Sequence, residues 1–232
     1  MLKKIAMALV VVGSVATGGY FLFFRSWIKR WGATEEEVQQ ALPGDELVLH
    51  PDAEFTRALT IQARASDIWP WLVQIGQGRG GYYSYAWLEN LMHLRMENAD
   101  QIHPEWQQLK VGDIIPAEPG GSGFCVSALE SGRALVLGGR EGDEGITQGF
   151  TQMFPAFTWA FVLEERDGKH TRLITRWRAQ ARQTPALQLI SPFFELAEFL
   201  MTRKMLLGIK QRVEQARATI EGTGEEVKPA VE

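Results

Sequence analysis

The segment Gly76-Gln77-Gly78-Arg79-Gly80-Gly81 fits the spacing G-x-G-x-x-G, with Glu97 and Asp100 about twenty residues further on. Such a loop cradles a dinucleotide pyrophosphate only when a strand leads into it and a βαβ unit surrounds it. Here a Ser66-Asp67 helix cap and Pro70 precede the loop, and residues 95–112, where the next strand belongs, are polar. The glycines read instead as a loop between two helices. His50, His93, His103 and His170 are dispersed, without a Cys, His or carboxylate at metal-ligand spacing. Cys125 is the only cysteine, so no intrachain disulfide exists, and no basic neighbour favours its thiolate. Ser84, Ser122 and Ser127 lack a G-x-S-x-G elbow, and Glu141, Asp143 and Glu144 fit a solvated loop. The sequence therefore offers no catalytic residues, no metal ligands and no cofactor.

Two arginines sit in apolar company. Arg57 alternates onto the same strand face as Phe55, Leu59 and Ile61, and Arg176 adjoins Trp177. A guanidinium among such neighbours needs an anionic or carbonyl partner, which a ligand or a carboxylate of the chain can supply. The other candidate ligand contacts are Trp71, Tyr83, Trp87, Trp159 and Phe161, with the flexible thioethers of Met201 and Met205. The same residue types fill cores and line apolar pockets.

These side chains must be positioned by the elements around them. Thr34 reads as the N-cap of a short helix through Glu35-Glu36-Glu37 to about Leu42. Alternation of Leu59, Ile61 and Ala63 against Thr60 and Gln62 predicts a strand over 55–63. A helix follows the Ser66-Asp67 cap with Pro70 in its first turn, where a missing N–H does least harm. A second helix spans about 84–94, with Trp87, Leu91 and Leu94 on one face. From Gly112 the period changes to two, predicting strands at about 113–117, 123–130, 133–139, 156–165 and 171–180. In the fourth, Phe157, Trp159, Phe161 and Leu163 point one way and Thr158, Ala160 and Val162 the other. Residues 138–149 are polar and glycine-rich and read as a mobile loop. Ser191-Pro192 supplies a cap and a first-position proline for a helix to about Ile220. Its first half is apolar nearly all round, which predicts burial on more than one side.

Residues 5–24 run twenty positions without a charge, enough to cover roughly 30 Å as a helix. Lys3 and Lys4 precede the run, and Arg25, Lys29 and Arg30 follow it. Tyr20, Trp27 and Trp31 sit where rings favour the headgroup layer. A cleaved signal peptide ending near Ser14-Val15-Ala16 competes with a retained anchor; the apolar run resumes after that site, which favours the anchor. The division is then 1–32 for a transmembrane anchor and its flank, 33–222 for one domain, and 223–232 for a disordered charged tail. Two lysines ahead of the run favour a cytoplasmic N-terminus and an extracytoplasmic domain. With the five basic residues of the first 32 set aside, 19 Lys and Arg face 28 Asp and Glu, a balance of −9 that argues against a nucleic-acid partner. The sequence sets no oligomeric state.

The order strand, two helices, antiparallel strands and long C-terminal helix resembles the helix-grip fold of the SRPBCC superfamily, which includes START-like domains. The stretches that carry this are Pro43–Glu46, Ile68–Gly76, Tyr82–Asn90, Leu109–Asp113 and Thr158–Leu163. They look most like the bacterial polyketide cyclase/dehydrase-like branch with an N-terminal anchor. The resemblance implies an α+β fold, a curled antiparallel sheet wrapped round the long helix, with an apolar cavity between them. It implies binding of an apolar small molecule or lipid. Two alternatives stand beside it: a cyclase/dehydrase-type enzyme acting on a polyketide-like or aromatic substrate, and a protein-interaction domain with a collapsed cavity.

Overall fold

Alternating side chains set the sheet, and the computed structural model of the chain, which describes residues 23–223, places six strands in it. The apolar run at 5–24, all but its last two residues, and the tail from residue 224 onward lie outside the described residues. Among the described residues no helix is long and apolar enough to cross a membrane. The strands are β1 (Ala53–Ile61), β2 (Ile114–Pro116), β3 (Gly123–Glu130), β4 (Ala134–Arg140), β5 (Ala156–Glu165) and β6 (Thr171–Gln180). They pair antiparallel throughout in the order β1-β6-β5-β4-β3-β2. A tight turn at Asp167-Gly168 closes β5 onto β6, and Gly168 takes a φ of +71° there, at no cost to a residue without Cβ.

Period two separates the faces as expected. Phe157, Phe161 and Leu163 of β5 enter the inner core, while Val162 joins Ala58, Ala134, Ile174 and Leu42 on the outer side. That outer face is covered in part by residues 33–45, whereas Arg25–Trp31 pack on the inner side beside the C-terminal helix. Helix α1 (Arg25–Lys29) is followed by α2 (Glu35–Gln39), which opens on a complete capping box. Thr34 Oγ1 accepts from the Glu37 amide at 3.2 Å, and Glu37 Oε2 accepts from the Thr34 amide at 2.8 Å.

The inner face holds α3 (Ala65–Val73) and the long helix α6 (Pro185–Thr223), with α4 (Ala86–Leu91) at the edge. Ile68 and Leu72 of α3 meet Leu206, Ile209 and Val213 of α6 over Leu135, Leu137 and Phe161 of the sheet. This is an α+β architecture in which a six-stranded antiparallel sheet carries a long C-terminal helix, consistent with a helix grip.

Several local expectations are corrected. Pro70 lies at the sixth position of α3, beyond its first turn. Residues 138–149 do not all stay loose: Ile146 is buried and bridges to Gly123. The short helix α5 (Gln148–Thr151) brings Phe150 within 4.8 Å of the Phe157 ring. The long helix begins at Pro185, seven residues early. Thr184 is its cap, accepting from the Leu187 amide at 3.2 Å, so Thr184-Pro185 has the role assigned to Ser191-Pro192. Pro192 is carried inside the helix because the Ser191 hydroxyl donates to Gln188 O at 3.1 Å, the carbonyl that its missing N–H would have served. The burial of α6 is also the reverse of its apolarity. Leu189, Ile190, Phe193 and Leu200 are exposed, whereas Thr202, Met205, Leu206, Ile209 and Val213 are buried.

Candidate ligand-binding site

Between the sheet and α6, where the aromatic rings of β3 and β5 fail to meet the helix, lies a cavity of about 310 Å³. Tyr82, Phe124, Phe150 and Trp159 form one wall, and Met201 and Met205 form the helix side. Met92, exposed, stands on its rim beside Leu94 and Met96. The rings hold one another: Tyr82 stacks on Trp159 at 6.1 Å, and Phe124 meets Phe150 edge-on at 5.9 Å. The Trp159 indole N–H donates to Thr175 Oγ1 at 3.0 Å, which fixes that ring from the sheet.

Backbone strain builds the wall opposite the sheet. Among the described residues, Tyr83, His93 and Arg95 are the non-glycine residues in the left-handed region, at φ of 56°, 60° and 49°. The first separates neighbouring tyrosines. Tyr82 lines the cavity, while Tyr83 turns into the core, accepting from Gln74 Nε2 at 2.9 Å and donating to Trp71 O at 3.1 Å. The other two lie in the segment that sets Met92, Leu94 and Met96 on the rim. Gly208 lets α6 come this close, because a Cβ there would collide with the Tyr83 carbonyl.

One acid sits in this apolar setting. Glu89 is only 5 % exposed and lines the cavity. Its Oε1 accepts from Ser84 Oγ at 2.5 Å, and its Oε2 has no hydrogen-bond partner among the described residues. Burial pushes its carboxyl above the ordinary range, and the Ser84 hydrogen bond only partly opposes this. When protonated, that carboxyl has a proton to give on the unpartnered oxygen. Burial, with a smaller push from Glu89, also raises the Tyr82 phenol, whose hydroxyl donates to Pro116 O at 3.1 Å.

Of the residues singled out from sequence, Trp159, Met201 and Met205 lie on the cavity wall. Phe161 is one pair further along β5, fully buried behind Trp159 at 4.8 Å. Trp71 and Tyr83 pack edge-on at 5.8 Å in the core, outside the cavity. Trp87 is 66 % exposed, since α4 turns Glu89 inward and sends Trp87 and Leu91 to solvent.

Neither arginine reaches the cavity. Arg57 donates to Ile28 O at 2.7 Å and to Glu198 at 2.7 Å, between the Phe55 and Phe199 rings. Arg176 is spent on the outer face, on Thr56 Oγ1, Asp45 Oδ2 and the carbonyls of Glu37, Val38 and Gln40. The protein's own acceptors thus take the place of a ligand. The glycine loop is closed on itself by a Gly76–Gly81 bridge, and its Arg79 donates to Val73 O and Trp106 O. Among the described residues no group of His, Cys, Asp and Glu could hold a metal.

Sequence reasoning missed Glu89, Tyr82 and Phe150 as cavity residues, and set Ser84 aside for want of an elbow. Glu89 reads as the polar side of an amphipathic helix, and no periodicity signals that the helix is turned over. A second hollow of about 210 Å³ lies beside the N-terminal half of α6, lined by Phe55, Phe154, Phe194, Arg182 and Glu195 among others. Its charged rim suits it less to an apolar ligand than the inner cavity.

No protein-family model matches the chain, and no curated protein does. Among solved structures it is similar to a protein from Nitrosospira multiformis, at 10 % identity over 71 % of this chain and 99 % of that one, with a TM-score of 0.39. A conserved protein from Geobacillus kaustophilus matches at 8 % identity over 71 % and 97 % of the two chains, with a TM-score of 0.40. Ara h 8.0201 matches at 11 % identity over 70 % and 98 %, with a TM-score of 0.36. TM-scores below 0.5 assign neither a family nor an activity.

Proposed function

We propose that this chain is a membrane-tethered binding domain of the SRPBCC helix-grip type, which holds an apolar small molecule or lipid between the sheet and α6. The observation that carries the reading is the cavity itself. It is walled by aromatic rings and methionines around a single buried carboxyl with an unused oxygen. Its volume, about 310 Å³, lies at the small end of the range for ligand pockets. A compact ligand with one carbonyl or hydroxyl oxygen suits it, because that oxygen can accept the proton that Glu89 has no other partner for. The tether is the uncharged run at 5–24, with the domain on the extracytoplasmic side.

Native mass spectrometry of the full chain, released from detergent, tests the binding reading. A co-purified apolar ligand should be lost when Trp159→Ala or Met201→Ala alters the wall. An identical bare mass for the parent and both variants, unchanged after incubation with a lipid extract, removes it. Carbonate extraction tests the tether separately.

Glu89 also favours a second reading, the cyclase/dehydrase-type enzyme, since a buried carboxyl whose pKa is raised is the kind of group that serves as a general acid. Under that reading Glu89→Gln retains ligand binding but abolishes turnover of an aromatic polyketide-like substrate. Under simple binding no turnover exists to be lost.

A further inference from the structure

The most apolar stretch of α6 is the one the fold leaves uncovered. Phe193 is 73 % exposed and Leu189 76 %, with Ile190 and Leu200 also exposed. At 3.6 residues per turn these four side chains fall within about 100° of one another around the helix. The two acids between residues 183 and 202 are both turned away from this face. Glu195 accepts two hydrogen bonds from Arg25, and Glu198 is paired with Arg57. Arg203 and Lys204 follow the stripe, while Arg182 before it is paired with Glu141.

Phe23, 75 % exposed, and Trp27, half exposed, belong to the segment packed beside this half of α6, where the Trp27 ring lies 5.4 Å from Phe199. A soluble surface rarely leaves an apolar patch of this kind without a partner. The chain itself indicates which partner. The uncharged run ends at Phe24, and the next residue, Arg25, is fastened to Glu195 of α6 at 2.6 and 2.7 Å. The run therefore leaves the domain on the Glu195 side of α6, beside the half of the helix that carries the exposed face.

We propose that the exposed face of α6 formed by Leu189, Ile190, Phe193 and Leu200, with Phe23 and Trp27 beside it, lies in the interface of a lipid bilayer bearing anionic headgroups. The apolar side chains enter the acyl boundary, and Arg203 and Lys204 stay at headgroup level. The domain is thus docked on the membrane as well as anchored to it. Met201, which walls the inner cavity, directly follows this face, so docking brings the cavity close to lipid. The inference rests on the tether for the position of the bilayer, but not on ligand binding.

The test places a fluorophore sensitive to polarity on Phe193→Cys, in full-length protein carrying Cys125→Ser and reconstituted into phosphatidylcholine vesicles with one-quarter phosphatidylglycerol. Lys169→Cys, in the β5–β6 turn at the opposite end of the sheet, is the control. The label at 193 should be blue-shifted. It should be quenched several-fold more by spin-labelled lipid, and several-fold less by iodide, than the label at 169. Iodide quenching equal to the control, without lipid quenching, leaves the face in water and overturns the proposal. Protection from both quenchers also overturns it, since protein, either residues 5–22 or a second copy, then covers the face. Both of those results leave the tether standing if the protein floats with the vesicles. Failure to float removes tether and docking together.

Discussion

The two halves of α6 make opposite use of their side chains. From Thr202 to Val213 the helix mixes buried Met205, Leu206, Ile209 and Val213 with basic residues that reach outward, and it is the half that the sheet and α3 enclose. From Leu187 to Leu200 it is richer in apolar residues, yet leaves four large ones in the open. What holds this half down is charge together with a few rings, Phe194 lying 5.0 Å from Phe154. Arg25 and Lys29 meet Glu195, and Arg57 meets Glu198, beneath the single well-buried ring of Phe199. Apolarity along a helix measures how much it has to hide, and its neighbours decide whether it hides it here or in another medium.

Glu198→Ala should give the largest effect, because it leaves the Arg57 guanidinium buried without its carboxylate. The expected loss is about 3–5 kcal/mol in denaturant titrations of the full chain in detergent. A loss under about 1 kcal/mol would mean that the N-terminal half does not depend on this pair. In the other half, Leu206→Ala and Ile209→Ala should each cost about 2–5 kcal/mol, as for fully enclosed side chains. Met205→Ala should fall at the low end of that range, since it enlarges a cavity that already exists.

Titration gives opposite signs to Glu195, in the N-terminal half of α6, and to Glu89 of α4, which faces Met205 across the cavity. Burial alone would raise the Glu195 carboxyl, but the hydrogen bond from Arg25 and the charges of Lys29 and Arg25 outweigh it and hold the group low. Its contribution is therefore present above the ordinary carboxylate pKa and is lost as pH falls through the depressed value. Glu89, raised by burial, contributes fully below the ordinary carboxylate pKa and loses that contribution as pH rises through its own higher one. Stability measured against pH should then flatten on the acid side in Glu195→Gln and on the other side in Glu89→Gln. Identical profiles for both variants and the parent would refute this contrast. The smallest effect belongs to Phe193→Ser, which should change stability in detergent by no more than about 0.5 kcal/mol, because the ring is already exposed.

Local pattern alone determined much of this molecule. The alternation in residues 156–165 and 171–180 settled both strands and which side chains share a face, because a side-chain period of two is a property of the extended backbone itself. The Thr34 cap was equally plain, since its partner Glu37 is three residues away. What sequence left open depended on distant neighbours. Thr184-Pro185 and Ser191-Pro192 carry the same signature, and only the structure shows which begins the helix and which is carried inside it. Arg57 and Arg176 announced a need for acceptors, but those acceptors lie 141 and 131 residues away along the chain, on Glu198 and Asp45. Helix α4 shows the same limit. Periodicity fixes the angles between Trp87, Glu89 and Leu91, but the rotation of the whole helix about its axis follows from what it packs on. That rotation put a carboxyl, rather than an indole, into the cavity.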